Sequence, residues 1–261
     1  MGQQQTSPFL SRVESRETVQ HLLAQHSSIY QLTATHFDEA SGVLSRAFAG
    51  TETSTPELFF DWAMGPELSD RADPRRLELT HFFMKWVLSS SLNYGYAFGL
   101  RGQEGHLVSV VCTYPPGVYE TTWMWFATLV RVGLPPYTTS PSKYGPGVEE
   151  RFDAGFKQML SYHAQHASFP HWYIYTLAVD TAAQGKGHGS LLLGFMAALS
   201  EAEDRPLYLE ASGEKNAAFY CRHGFNQCTE RFAVQPSAGQ TFQPMSLVGG
   251  AFVRSVRPSS R

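Results

Sequence analysis

The sequence has no surplus of positive charge, few cysteines and no long apolar run. Its 20 lysines and arginines are outnumbered by 23 aspartates and glutamates, for a formal net charge of −3. This balance argues against a nucleic-acid-binding protein, because no basic excess remains to neutralise phosphates. Three cysteines without CxxC spacing supply neither a disulfide framework nor a zinc site, and they fit a reducing, cytoplasmic compartment. No uninterrupted apolar run is long enough to span a bilayer.

Both ends of the chain are polar and are predicted to be tails around one large domain. The N-terminal segment is too polar for a signal peptide. Gly2 and Thr6 match the myristoylation pattern. That pattern is short, and a single acyl chain binds membranes weakly, so we expect no stable membrane attachment. We therefore assign residues 1–25 and 257–261 to flexible tails and residues 26–256 to a single domain.

The predicted elements are those of a mixed α/β protein. An antiparallel hairpin is predicted over residues 96–114, where two β-rich segments flank a glycine-containing turn. Helical periodicity dominates residues 117–170, and strand–helix units follow from residue 172 onward. The helix that contains Trp123, Trp125 and Phe126 is nearly all apolar, so we expect it to be mostly core, with one face free to wall a pocket.

A glycine-rich segment, QGKGHGS, joins the predicted strand 172–179 to the next helix. It is not a P-loop, whose pattern is GxxxxGK[ST], because Lys186 lies directly between Gly185 and Gly187 and does not fit that spacing. It also fails as a dinucleotide fingerprint, because Ser190 occupies the third glycine position. Successive N–H groups at a helix N-terminus can nevertheless surround a pyrophosphate, and glycines let the backbone approach it closely.

The pattern Q-x-x-G-x-G at residues 184–189 resembles that of the GNAT superfamily of acetyl-CoA-dependent N-acetyltransferases. Downstream, LEASGEKNAAFYCRHGF is similar to the superfamily's strand followed by N-x-x-A-x-x-[FY]-Y-x-x-x-G-F, with the alanine shifted by one residue. The resemblance covers residues 173–225 and is strongest to small-molecule acetyltransferases, including antibiotic-modifying ones. It implies a V-splayed, mostly antiparallel central sheet flanked by helices on both faces, with the splay after Val179.

The same resemblance implies acetyl-CoA as cosubstrate and no metal. The residues that it assigns to acetyl-CoA are Leu177, Ala178, Val179, Gln184, Gly185, Lys186, Gly187, His188, Gly189, Ser190, Asn216 and Phe219. For Asn216, capping of the following helix is the alternative interpretation.

The resemblance assigns Tyr220 as the general acid that protonates the departing thiolate, since a phenol and a thiol have similar pKa values. The general base is left open. Tyr173 and Tyr175 stand where relatives carry Glu or His, and strict alternation would place them with Leu177 on one face of the strand.

A chain of waters is the other candidate for the base. Its remote end would be Glu120, His163 or His171. His163 and His166 are also three residues apart on a predicted helix, but no carboxylate or cysteine nearby completes a metal site.

The predicted activity is direct transfer of an acetyl group to a primary amine in a ternary complex, since neither Cys221 nor Cys228 has an evident histidine–acid partner. We expect the acceptor to be a small molecule and the protein to be a monomer or homodimer. Two alternatives stay open. One is acetylation of a protein N-terminus or lysine, and the other is a non-catalytic acetyl-CoA sensor.

Overall fold

The computed structural model describes residues 13, 15–50, 57–118, 121–145 and 147–256. Its helices are α1 (Arg16–Gln25), α2 (Phe37–Ala49), α3 (Leu58–Met64), α4 (Pro74–Tyr94), α5 (Thr122–Val132), α6 (Pro136–Thr139), α7 (Pro141–Tyr144), α8 (Val148–His166), α9 (His188–Ala202) and α10 (Glu214–Arg222). Its strands are β1 (Ile29–Gln31), β2 (Tyr96–Arg101), β3 (Leu107–Tyr114), β4 (Trp172–Val179), β5 (Leu207–Ser212), β6 (Asn226–Gln227), β7 (Arg231–Val234) and β8 (Met245–Arg254).

These eight strands form one sheet in the order β1-β2-β3-β4-β5-β8-β6, with β7 also paired to β8. Every described pairing is antiparallel except that of β4 with β5. The apolar side chains on the two faces of the sheet form two separate clusters. One cluster packs against α2, α3, α4 and α8, and the other packs against α1 and α9. The expected mixed α/β fold, with helices on both faces of a mostly antiparallel sheet, is confirmed.

The sheet opens between β4 and β5. These strands pair only at Trp172 with Leu207 and at Tyr173 with Tyr208. Beyond that point β4 stays with β3 as far as Val179, while β5 stays with β8 to its end. The sequence predicted that the strands separate after Val179. In the structure they separate after Tyr173. This separation leaves a cleft with strand edges on both sides.

Strand β4 contains a bulge that strict alternation does not anticipate. Cys112 of β3 pairs with Thr176, whereas Thr113 pairs with Ile174, so Tyr175 is the extra residue. Tyr173 and Tyr175 pack into the cluster that contacts α2, α3, α4 and α8, but Leu177 packs into the cluster that contacts α1 and α9. The prediction that all three side chains share a face is wrong, because the bulge reverses the alternation after Tyr175.

Two further segments differ from the expectation. Residues 1–25 were expected to be a flexible tail, but they contain helix α1. Its side chains Val19 and Leu22 are buried in the same cluster as those of α9. Helix α5 was expected to be mostly core, yet Trp123, Trp125 and Phe126 are 71%, 51% and 53% exposed. A nearly all-apolar helix has no polar face that would show which side points to water, so periodicity could not orient it.

Candidate active site

The glycine-rich loop lies between β4 and α9, as the sequence predicted, and its backbone is open to solvent. Gly185 and Gly187 have φ of +78° and +83°, a conformation that favours glycine. A Cβ at either position would meet no atom within 4 Å. Glycine at these two positions therefore permits the positive φ and keeps the space above the backbone open. Tight packing does not require it. Such a cradle at the N-terminus of a 15-residue helix suits an anion.

Side chains on both sides brace the loop. Asp180 accepts a hydrogen bond from the Ala182 N–H (3.3 Å) and also holds Arg46 of α2, whose Nε lies 2.9 Å from its Oδ2. The Gln184 amide donates to the carbonyl of Val179, and Lys186 Nζ donates to the carbonyl of Ala182, each at 3.3 Å. Lys186 is exposed and lies beside the cradle, so it can turn toward a bound phosphate.

The cleft between β4 and β5 runs from the middle of the sheet toward this loop. Its walls include Thr176 and Leu177 on one side and Ala211 and Asn216 on the other. In an extended strand alternate backbone groups point to each side, so the edge of β4 that does not face β3 can pair with an extended ligand. The glycine cradle and this cleft together have the shape and donors that a pyrophosphate followed by a pantetheine arm requires, so the residues present fit acetyl-CoA.

Asn216 and Tyr220 lie on the α10 side of the cleft. The Asn216 side-chain amide donates to the carbonyl of Ser212 (3.0 Å), which ties α10 to the end of β5 and uses one of its donors for structure. The Tyr220 ring packs edge-on against Phe225, with ring centroids 5.7 Å apart. Burial first, and the nearby Glu57 carboxylate second, raise the pKa of Tyr220 above its ordinary value. The phenol therefore carries a proton at neutral pH.

Glu57 was not identified from the sequence, yet it stands at the centre of this site. It is the N-cap of α3, where its carboxylate accepts a hydrogen bond from the Phe60 N–H (2.9 Å). Its other oxygen accepts a short hydrogen bond from the Ser212 hydroxyl at the end of β5. Burial raises the pKa of Glu57, although these hydrogen bonds partly oppose the shift. The carboxylate thus has a pKa moved toward the range in which it can exchange a proton near neutrality.

The approach of α3 to β5 depends on Gly213. This residue has φ of +89°, and a Cβ there would meet the side chain of Leu58 at 2.9 Å. The only local signal for Glu57 is a proline and an acidic residue before an apolar run, which indicates a helix start. Its partner Ser212 is 155 residues away in sequence, so only the folded chain brings the two together.

The two tyrosines proposed as candidate bases differ in their surroundings. The Tyr173 hydroxyl is buried and donates to Glu210 Oε2 at 2.7 Å. Burial first, and the Glu210 charge second, raise the pKa of Tyr173 well above its ordinary value, which opposes a role as base. Tyr175 is half-buried, lies in the bulge and lines the cavity described below.

His163 and His171 form a buried pair behind Tyr173, with their Nε2 atoms 2.9 Å apart. His171 Nδ1 donates to the carbonyl of Phe169 (2.7 Å), so in neutral His171 the Nε2 atom accepts from His163. Burial lowers the pKa of His163 to about 3 and that of His171 to about 4. Both rings are neutral at physiological pH, and His163 lines the pocket wall.

An apolar cavity of about 470 Å³ includes the cleft between β4 and β5 and extends past Glu57 and Tyr220. Glu57, Ser212 and Tyr220 line it beside this cleft. The remainder of the wall is mostly apolar, with aromatic side chains from α2, α3, α4, α5, α8, β4 and β7, and it includes the charged Asp153 and Lys157 of α8. This volume lies within the range of small-molecule sites.

Glu120 lies outside the described residues. Within the described part of the chain, no group of three His, Cys, Asp or Glu residues could hold a metal ion. In the same part, no helix is both long and apolar enough to cross a membrane.

Residues 150–227 match the family model for the GNAT acetyltransferase domain. This match includes β4, the glycine-rich loop, α9, β5 and α10, and it confirms the resemblance inferred from the sequence motifs. No curated protein matches the chain significantly.

Solved structures share the fold over most of the chain. A histone acetyltransferase HPA2 and related acetyltransferase from Corynebacterium glutamicum is 22% identical, with a TM-score of 0.51, covering 89% of this chain and 98% of its own. A polyamine N-acetyltransferase from Drosophila melanogaster is 13% identical, with a TM-score of 0.52 and coverages of 87% and 99%. An arylalkylamine N-acetyltransferase 2 from Aedes aegypti is 12% identical, with a TM-score of 0.50 and coverages of 88% and 98%. At these identities the likeness concerns the fold.

Proposed function

We propose that this chain moves the acetyl group of acetyl-CoA to the primary amine of a small molecule, in one ternary complex, because residues 150–227 match the GNAT acetyltransferase domain and the fold is shared with solved acetyltransferases. The pyrophosphate would bind at the loop formed by residues 184–190, with Lys186 adding positive charge. The pantetheine arm would lie along the edge of β4 near Leu177, Ala178 and Val179, with Asn216 and Phe219 on the α10 side.

In the proposed reaction Glu57 accepts a proton from the incoming ammonium group, and Ser212 orients the carboxylate by its hydrogen bond. The amine nitrogen then attacks the acetyl carbonyl, so that an N–C bond forms and the C–S bond breaks. Tyr220 gives its proton to the departing thiolate. The nitrogen releases two protons overall, of which one reaches solvent by way of Glu57 and the other restores the Tyr220 phenol.

One observation carries this proposal. A carboxylate with a raised pKa and a protonated phenol converge on the open end of β5, where the cleft meets the rest of the cavity. A proton acceptor and a proton donor that both line a cofactor cleft are what direct acetyl transfer requires. A pocket that merely held acetyl-CoA would need neither group.

The cavity favours a small acceptor over a protein one. A lysine or N-terminus must arrive with its backbone, which needs an open groove. Here α4 and α8 form aromatic walls around the space beside Glu57. The structural relatives include polyamine, arylalkylamine and agmatine N-acetyltransferases, which fits the same choice. The three free cysteines support a cytoplasmic setting.

The first test is thermal unfolding with and without acetyl-CoA, followed by thiol release in the presence of primary amines. A ligand that binds only the folded state raises Tm, by about 5 °C at a hundredfold excess over Kd for a chain of this size. We expect Gly187→Glu to abolish this rise and the thiol release, because its carboxylate would face the pyrophosphate.

Gly105→Glu is the matched control. Gly105 lies in the β2–β3 turn with φ of +82°, and a Cβ there also meets nothing within 4 Å. Both variants therefore carry the same strain and the same added charge, and only one of them lies at the loop. No rise in Tm for the unaltered protein at millimolar acetyl-CoA would refute the proposal. Binding without any thiol release would support the sensor alternative.

A further inference from the structure

The aromatic wall of the cavity is continuous from the catalytic carboxylate to the protein surface. The Phe60 N–H binds Glu57, and the Phe60 ring contacts that of Phe83, with centroids 5.7 Å apart. Phe83 contacts Phe82 at 5.4 Å, Phe82 contacts Trp86 at 6.1 Å, and Trp86 contacts Trp125 at 5.7 Å. All five rings line the cavity.

This wall does not end where the cavity meets solvent. Trp125 is 51% exposed and Leu160 of α8 is 52% exposed, although both line the cavity. We call these two residues the rim. Of the nine exposed large apolar side chains in the described part of the chain, these two line the cavity, and Trp123, Phe126 and Val130 lie on the same helix as Trp125. Exposed apolar side chains at the mouth of a cavity mark a place where something apolar binds.

The two ends of this path differ in polarity, although Asp153 and Lys157 of α8 also line the cavity. The carboxylate of Glu57 and the hydroxyls of Ser212 and Tyr220 stand at the inner end, beside the cofactor cleft. The rings and the rim follow outward. A ligand that matches this difference has one amine at one end and an extended apolar body behind it.

We propose that the acceptor is an amphiphilic primary amine, whose chain runs along the aromatic wall from Glu57 and leaves the cavity over the rim at Trp125 and Leu160. This inference rests on the proposed function and specifies its substrate class. The products are the N-acetyl amide of that amine and free CoA thiol, with one proton released to solvent.

The test is a length series of linear amines, from butylamine to dodecylamine, each below its micelle concentration and assayed by thiol release. Each methylene that becomes buried improves binding about fourfold, and the transition state keeps that contact. We expect kcat/KM to rise by about that factor per methylene until the chain reaches the rim.

The variants Trp125→Ala and Trp123→Ala form a matched pair. Both tryptophans are exposed on α5, but only Trp125 lines the cavity. We expect Trp125→Ala to lower the ratio of kcat/KM for dodecylamine over butylamine about tenfold or more. Trp123→Ala should leave this ratio within about twofold.

Several results would overturn the inference. One is turnover of butylamine with no gain along the series, which leaves the proposed function standing. A second is equal loss from both tryptophan variants, as expected if the exposed face served a lipid surface or a second copy of the chain. No thiol release with any amine would overturn the proposed function and this inference with it.

Discussion

The cofactor side of the site, made by β4, α9, β5 and α10, presents mainly backbone, whereas the acceptor side, made by α3, α4, α5 and α8, presents mainly side chains. The first side offers a glycine cradle and two strand edges. The second offers a carboxylate and a row of rings. Backbone recognition depends on local conformation and tolerates sequence change, while the side-chain wall can be exchanged residue by residue. We therefore expect the cofactor side to be general and the acceptor side to set specificity.

The largest effect within this comparison is expected from Tyr220→Phe, on the cofactor side. Removing the proton donor should lower kcat about 10²-fold or more, while the rise of Tm with acetyl-CoA persists, because the glycine loop is untouched. Steady-state kinetics and thermal unfolding check both parts. Tyr94→Phe, outside the cavity lining, is the control, and it should change neither. Loss of acetyl-CoA binding in Tyr220→Phe would place this phenol in binding instead of proton transfer.

Glu57→Gln, on the acceptor side, should lower kcat/KM about 10²-fold and change its pH dependence. A general base works only when it is deprotonated, so activity should fall as pH drops through the Glu57 pKa. Burial raises that pKa, so this limb should lie above the ordinary pH range of a carboxyl group. A pH–rate profile measures it. Glu17→Gln should keep the limb and Glu57→Gln should lose it. An unchanged limb in Glu57→Gln would assign the proton transfer to another group.

The smallest effect on activity is expected from Tyr173→Phe, at the boundary between the two sides. Tyr173 is buried and donates a hydrogen bond to Glu210, so removal of its hydroxyl should cost less than about tenfold in kcat. It should also destabilise the fold by about 1–3 kcal/mol, because the Glu210 carboxylate loses a donor. Denaturant unfolding and kinetics separate the two effects. A loss comparable to that of Glu57→Gln would restore Tyr173 as a candidate base, and Tyr175→Phe tests the second tyrosine in the same way.

The cofactor side could be predicted from sequence because its chemistry is written in neighbouring residues. The loop, the helix after it and the tyrosine on α10 follow from spacing within residues 173–225. By contrast, the pairing of Glu57 with Ser212 joins segments 155 residues apart. No local sequence pattern predicts such a contact. Because β4 contains no acidic residue, the sequence left the general base open.

Two features of the fold were also beyond the reach of periodicity. The bulge at Tyr175 depends on the register of β3 against β4, which is set by pairing between distant segments. The exposure of α5 depends on which neighbours cover it. An apolar helix is usually buried, and here its outward face carries Trp123, Phe126 and Val130. Both features shape the acceptor side.

The brief pairing of β4 with β5 also bears on how the molecule comes apart. Only two residue pairs join β4 to β5, while the flanking pairs β3–β4 and β5–β8 have longer ladders. The sheet therefore consists of two halves, and packing on its faces holds these halves together more than hydrogen bonds do. An extended ligand bound in the cleft would add hydrogen bonds between the two halves. We expect amide hydrogen exchange along β4 and β5 to slow when acetyl-CoA binds, because the ligand would connect the two halves.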